Sequence, residues 1–139
     1  MKRRIVVTGL GLVTPVGNNV SDTWEAIVAG KSGIGPIDTF DVSGFSSRIG
    51  GSIKNFDLDT YLSAKDARKM DPFIHYGIAS CVQAIEDCGI EITEENSTRI
   101  GIAYGSGIGG LPGIERGHDQ FLAGGPRKIS PFFVPSNII

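Results

Sequence analysis

Histidine and cysteine are scarce in this chain, with two of each in 139 residues. They form no cluster with metal-ligand spacing, which excludes zinc-finger patterns. Cys81 and Cys88 are seven positions apart. On a helix that spacing leaves them on roughly one side but two turns apart, too far for a disulfide within the helix. Reduced thiols fit a cytoplasmic protein. No apolar stretch approaches the ~18 residues that would cross a membrane as a helix. Charge of one sign is missing too: a net charge of −2 makes no case for general nucleic-acid binding. Lys2-Arg3-Arg4 resembles the basic start of a signal peptide. The apolar run behind it is short and broken by glycine, which argues against one.

What is present is globular: 40% hydrophobic, 20% charged, and long enough for one ordinary domain with a real core. The 20 glycines are spread out, so they do not form a linker. No internal repeat is visible. Arg3 to Asn18, RRIVVTGLGLVTPVGN, is the most informative stretch. Ile5-Val6-Val7-Thr8 reads as a strand buried on both faces. Gly9 and Gly11 follow, then a Thr-Pro-Val-Gly turn. A dinucleotide-binding loop would need glycine or alanine at position 14, where the chain has Thr14. Pro15 delays the next helix until after Asn18, so no helix N-terminus sits on the turn to hold a pyrophosphate.

Asn19 or Ser21 caps a helix over Asp22–Ala29 that Gly30 stops, with Trp24, Ile27 and Val28 as its apolar face. Residues 31–56 read as loop with one or two short strands, the better one at Arg48–Lys54. Ser63-Ala-Lys-Asp66 resembles a capping box and starts a helical turn. Asp71 caps the clearest helix, Pro72 takes its first position and Gly89 ends it. Ile74, Gly77, Ile78, Cys81, Val82 and Ile85 form its buried stripe. Arg99–Tyr104 is a second buried strand, leading into Gly105–Gly110. Leu111 to Leu122 suggests a further helix, weakened by Gly113 and Gly117. This order is α/β.

The V-T-G-L-G strand followed by T-P-V-G-N resembles the N-terminus of the β-ketoacyl-acyl-carrier-protein synthases. The resemblance continues through Arg68–Ile90, Ile100–Glu115 and Gly124–Ile139, and is closest to the bacterial elongating type, synthase II. It implies an α/β, thiolase-like layered α/β/α/β/α fold, of which residues 1–139 are an incomplete first half, ending before the nucleophile. It implies a condensing enzyme of fatty-acid synthesis that joins malonyl-acyl-carrier protein to an acyl thioester, with no metal or redox cofactor. It also implies a homodimer when complete. The alternative is a non-catalytic, carrier-protein-binding or dimerisation relative. The apolar end at Asn137-Ile138-Ile139, just after Ser136 as a helix cap, adds to the expectation of a fragment.

The family's nucleophile is a cysteine at a helix N-terminus. Ala79-Ser80-Cys81 imitates its setting but lies mid-helix on the apolar stripe, and Cys88 lies in a last turn, so both read as structural. His75 reads as a surface residue and His118 as a helix residue at the margin of a core; neither matches the family's catalytic histidines. Lys65, Arg68 and Lys69 share one face at i, i+3, i+4, with Asp66 pointing elsewhere. By itself that is an ordinary solvated face. The resemblance implies that it receives the acidic acyl carrier protein, with Arg127 and Lys128 as a second part of the surface. Gly105–Leu111 lacks the Lys-Ser/Thr pair of a phosphate loop. The resemblance makes Ile108 the gate of an acyl pocket and Phe133 an aromatic contributed across the dimer interface; a turn plus core packing is the plainer account. With neither cysteine placed for thiolate activation, purified Met1–Ile139 is expected to take up no labelled acyl group. Acyl transfer to Cys81, lost in Cys81→Ser, would refute this.

Overall fold

A computed structural model describes residues 3–138. Met1, Lys2 and Ile139 lie outside the described residues, and with them the start of the basic triplet and the last residue of the apolar end. The chain forms two compact units: residues up to Asp57 together with Ala79–Ile90, and Leu58–Ile78 together with residues 91–138.

In the first unit, α1 (Val20–Val28) begins where the Thr14–Gly17 turn releases the chain. Thr14 and Gly17 exchange backbone hydrogen bonds of 2.8 and 3.2 Å, and the Thr23 hydroxyl donates to the Gly17 carbonyl at 3.2 Å. Asn19 is the cap: its Oδ1 accepts the Asp22 N–H at 2.8 Å, while its amide donates to the Asp22 carboxylate at 2.9 Å. Gly30, at φ +66°, closes α1 with bonds from Gly30 N–H to Ile27 and from Lys31 N–H to Ala26, a left-handed cap that glycine adopts freely. The side chains expected to be its apolar face are exposed; Thr23 and Ala26 are the buried ones. The short strands β1 (Gly35–Pro36) and β2 (Ile49–Gly50) pair antiparallel, a contracted form of the strand expected at Arg48–Lys54.

Ile5–Thr8 is not a buried strand. Ile5 is 94% exposed, and Val6 and Val7 are exposed with it. A strand needs a ladder partner for every second N–H and C=O, and among the described residues none lies beside this run. The segment after it is fixed differently, against α3 (Pro72–Cys88). Leu10 N–H donates to Asp87 Oδ2 at 2.8 Å and Leu12 N–H to Gln83 Oε1 at 3.1 Å. Gln83 also donates to the Asn18 carbonyl at 2.8 Å. The glycine pair makes this approach possible. A Cβ on Gly9 would press on the Ala84 carbonyl and sit 2.7 Å from Cys88 N; one on Gly11 would overlap the Ser80 carbonyl. Gly9-x-Gly11 is therefore a helix-contact pair.

In the second unit, α2 (Ala64–Ala67) is a single capped turn, α4 (Leu111–Gly124) is the long element, and α3 contributes Pro72–Ile78. Short 3₁₀ turns occur at Ser97–Arg99 and Pro126–Lys128. Arg99–Tyr104 likewise forms no strand, and Ile102 is 82% exposed. The stripe of α3 is only partly buried: Ile74 and Gly77 are covered, Ile78, Cys81 and Val82 are half-buried, and Ile85 is exposed. Ala79, outside the expected stripe, is fully buried. No helix among the described residues is long and apolar enough to cross a membrane.

The glycine contact gives a direct test. Gly11→Ala should lower stability by about 1–3 kcal/mol through overpacking. Gly44→Ala, which meets nothing within 4 Å, should stay within about 0.5 kcal/mol of the parent. Urea unfolding followed by circular dichroism compares the two, and equal midpoints would refute the contact.

Candidate functional site

The basic turn is built on Ser63. Its hydroxyl accepts the Asp66 N–H at 3.2 Å and donates to Asp66 Oδ2 at 2.7 Å. Asp66 then takes Lys69 Nζ on Oδ1 at 2.7 Å. Asp66 thus sits among the cations instead of pointing away. The helix ends at Ala67, so Lys69 lies in the following turn, within reach of the carboxylate. The bond from Lys69, the bond from the Ser63 hydroxyl and the charge of Lys69 hold the Asp66 carboxyl below its ordinary value. A carboxylate depressed on folding contributes above its unfolded value and is lost as pH falls through the folded one. The turn is therefore intact at neutral pH and loosens only on the acid side of the usual carboxylate range. Arg68 bends back, its Nε donating to the Ala64 carbonyl at 3.0 Å. Lys65, Arg68 and Lys69 are all exposed.

Two residues further on, Asp71 departs from its expected role. Pro72 does open α3, and the Asp71 carbonyl accepts the Ile74 N–H. The carboxylate, however, serves α4. Oδ2 accepts the Gly113 N–H at 2.9 Å, a donor of the first α4 turn, and Oδ1 takes Arg116 Nη2 at 2.6 Å. Gly110, the α4 cap residue, has no side chain to do this, so the cap comes from 42 positions away. Asp71 also donates its N–H to the Ser136 carbonyl at 3.1 Å, which joins a third segment.

The glycines thought to weaken α4 form its contact face instead. Gly110 and Gly113 lie against Asn137 Oδ1, and Gly117 lies under the Phe133 ring, all closer than a Cβ would allow. Asn137, 8% exposed, donates Nδ2 to the Ser136 hydroxyl at 3.1 Å and to the Phe133 carbonyl. Around this packing lies a cavity of about 200 Å³, with Arg68, Lys69, Arg116, Gln120, Ser130 and Phe133 in its wall.

The structure thus brings Arg68, Lys69 and Phe133 to one cavity. Lys65 does not line it. Arg127 and Lys128 stand exposed in the 3₁₀ turn after α4, the Lys128 stem packed on Gly124. Ile108 is 74% exposed, in the loop that Gly109, at φ +89°, turns into α4. His75 is half-buried with Nε2 3.0 Å from the Ala67 carbonyl, so it is not the surface residue expected; His118 is exposed on α4. Cys81 and Cys88 are free and half-buried, the Cys88 thiol donating to the Ile85 carbonyl at 3.2 Å. Among the described residues no group of histidine, cysteine and acidic side chains could hold a metal ion. Sequence reasoning missed Arg116 and the reach of Asp71. The spacing Gly110, Gly113, Gly117 was the available signal for a close-packed helix face.

The mixed α/β arrangement matches the N-terminal portion of the thiolase-like condensing-enzyme fold. The ishigamide ketosynthase/chain length factor aligns with 100% of this chain and 34% of its own at 26% identity, with a TM-score of 0.77. The chain belongs to the β-ketoacyl synthase family: residues 2–138 match the model "Beta-ketoacyl synthase, N-terminal domain". It is 59% identical over 138 residues to a 3-oxoacyl-[acyl-carrier-protein] synthase 2 of Vibrio cholerae, and 53% identical to that of Coxiella burnetii. Each alignment takes in 99% of this chain and 33% of the relative, so the chain spans about a third of the length of the curated relatives it matches.

Removing Asp71 should cost more than removing its charge. Asp71→Ala strands the buried Gly113 N–H and should lose about 1–3 kcal/mol. Asp71→Asn keeps an acceptor at that position and should lose less than half as much. Chemical unfolding of the two variants checks this; equal losses would place the weight on the ion pair instead of the cap.

Proposed function

We propose that the whole protein is a cytoplasmic, homodimeric condensing enzyme of fatty-acid elongation, and that this chain supplies part of its carrier-docking surface and acyl pocket. The observation that carries the reading is the Ser63-capped turn presenting Lys65, Arg68 and Lys69 to solvent, in a chain so similar to carrier-protein-named synthases. Exposed cations on a fixed turn suit an acidic carrier protein, steering the encounter and fixing its register. Arg127 and Lys128 extend the same surface.

The reaction is a decarboxylative condensation. A cysteine thiolate takes the acyl group from its carrier thioester, releasing the carrier thiol. The malonyl group then loses carbon dioxide, and its carbon attacks the acyl carbonyl, expelling the cysteine. Neither Cys81 nor Cys88 is that nucleophile: one is in mid-helix and the other in a last turn, where the helix dipole disfavours a thiolate. Ile108, exposed on its glycine-rich loop, gates the acyl pocket, and Phe133 contributes an aromatic wall across the dimer interface. An apolar pocket gains about 0.8 kcal/mol per buried methylene.

Charge reversal at Lys65 and Arg68 in the whole protein should weaken carrier binding by about 0.2–1 kcal/mol per pair, fading as salt rises. Unchanged affinity at low salt would leave this an ordinary solvated face. Ile108→Phe should penalise long acyl chains more than short ones in kcat/KM. A uniform loss would place Ile108 outside the pocket.

A further inference from the structure

Arg116 was absent from the expected docking surface, yet it lines the same cavity as Arg68 and Lys69. The three cations differ in how they are held. Arg68 turns its Nε to a backbone carbonyl, and Lys69 is tied to Asp66, itself near the surface. Arg116 is anchored from beneath by a carboxylate that is only 2% exposed, while its own side chain is 64% exposed. Asp71 is in turn fixed by the Gly113 N–H and through its own N–H to Ser136. The anchor uses Nη2 alone. A guanidinium has five N–H donors in a rigid fork, so the rest remain available to a second carboxylate. Holding the fork in place removes part of the ordering cost that a free arginine meets on binding.

We propose that Arg116 is a further contact residue of the basic face, a preorganised cation that receives a carboxylate of an acidic protein partner beside Arg68 and Lys69. The size of the cavity favours this occupant. About 200 Å³ is smaller than the ~300–1,000 Å³ typical of small-molecule sites, and suits one side chain projecting from a docked surface. Gln120 and Ser130 add neutral polar groups for its oxygens. The inference rests on the carrier-docking reading and adds a residue to it.

The test measures the affinity of the whole protein for an acidic acyl carrier protein across a salt series. Arg116→Met keeps the stem and removes the charge; it should weaken low-salt binding about 2–5-fold, the range of one exposed ion pair, and converge with the parent at high salt. Arg116→Lys should recover at least half of the loss. Arg116→Met also leaves the Asp71 carboxylate without its counterion, so the double variant Asp71→Asn/Arg116→Met is measured beside it, and the loss should persist there. A loss that vanishes in the double variant overturns the proposal, because it then comes from the stranded carboxylate. Unchanged affinity in both, with Lys65 and Arg68 reversal still weakening binding, also overturns it and leaves the docking reading standing. If none of the variants weakens binding, both fall.

Discussion

A chain segment can lie directly on a helix only where no Cβ intervenes, and both units depend on that constraint. In the first, Gly9 and Gly11 let the segment rest on the backbone of α3 at Ser80, Ala84 and Cys88. That proximity brings Leu10 and Leu12 N–H within reach of Asp87 and Gln83. In the second, Gly110, Gly113 and Gly117 open one face of α4 to Asn137 and Phe133. With the backbone that close, the Gly113 N–H meets the Asp71 carboxylate. Buried side chains are few among the described residues, with Ala26, Ile74 and Ala79 as the apolar ones. Close backbone contact and hydrogen bonds thus carry much of the local order.

The electrostatics of the second unit follow from the same geometry. Two carboxylates five positions apart treat their cations differently. Asp66, at the surface, ties down Lys69 and closes the Ser63 cap. Asp71, buried, completes the start of α4 and orients Arg116. An ion pair on a buried carboxylate is weak support for stability, because desolvation offsets the attraction. Its consequence here is positional: it holds one cation beside two others that line the same cavity.

The local signals in the sequence were legible where short-range chemistry decides. Asn19, Gly30, Ser63, Pro72 and Gly89 mark helix ends as their side chains and backbone freedom dictate. Ile5–Thr8 and Arg99–Tyr104 misled because apolar β-branched runs announce a need for strand partners, not their presence. Asp71 misled because Asp-Pro is a strong start signal for its own helix, and nothing local reveals a donor at Gly113. The roles of Lys65, Arg68, Lys69, Arg127, Lys128, Ile108 and Phe133 came from resemblance. Physical spacing alone distinguishes neither a docking face from a solvated one nor a gate from a packed turn.

The central proposal is that the Ser63–Asp71 turn and the Pro126–Lys128 turn after α4 form the surface an acidic carrier protein covers. Amide hydrogen exchange of the whole protein, with and without an acyl carrier protein at saturating concentration, tests it most directly. The account predicts slowed exchange across residues 64–71 and 125–130 when the carrier is present. Slowing confined to the exposed apolar face of α1, with those segments unchanged, would contradict it.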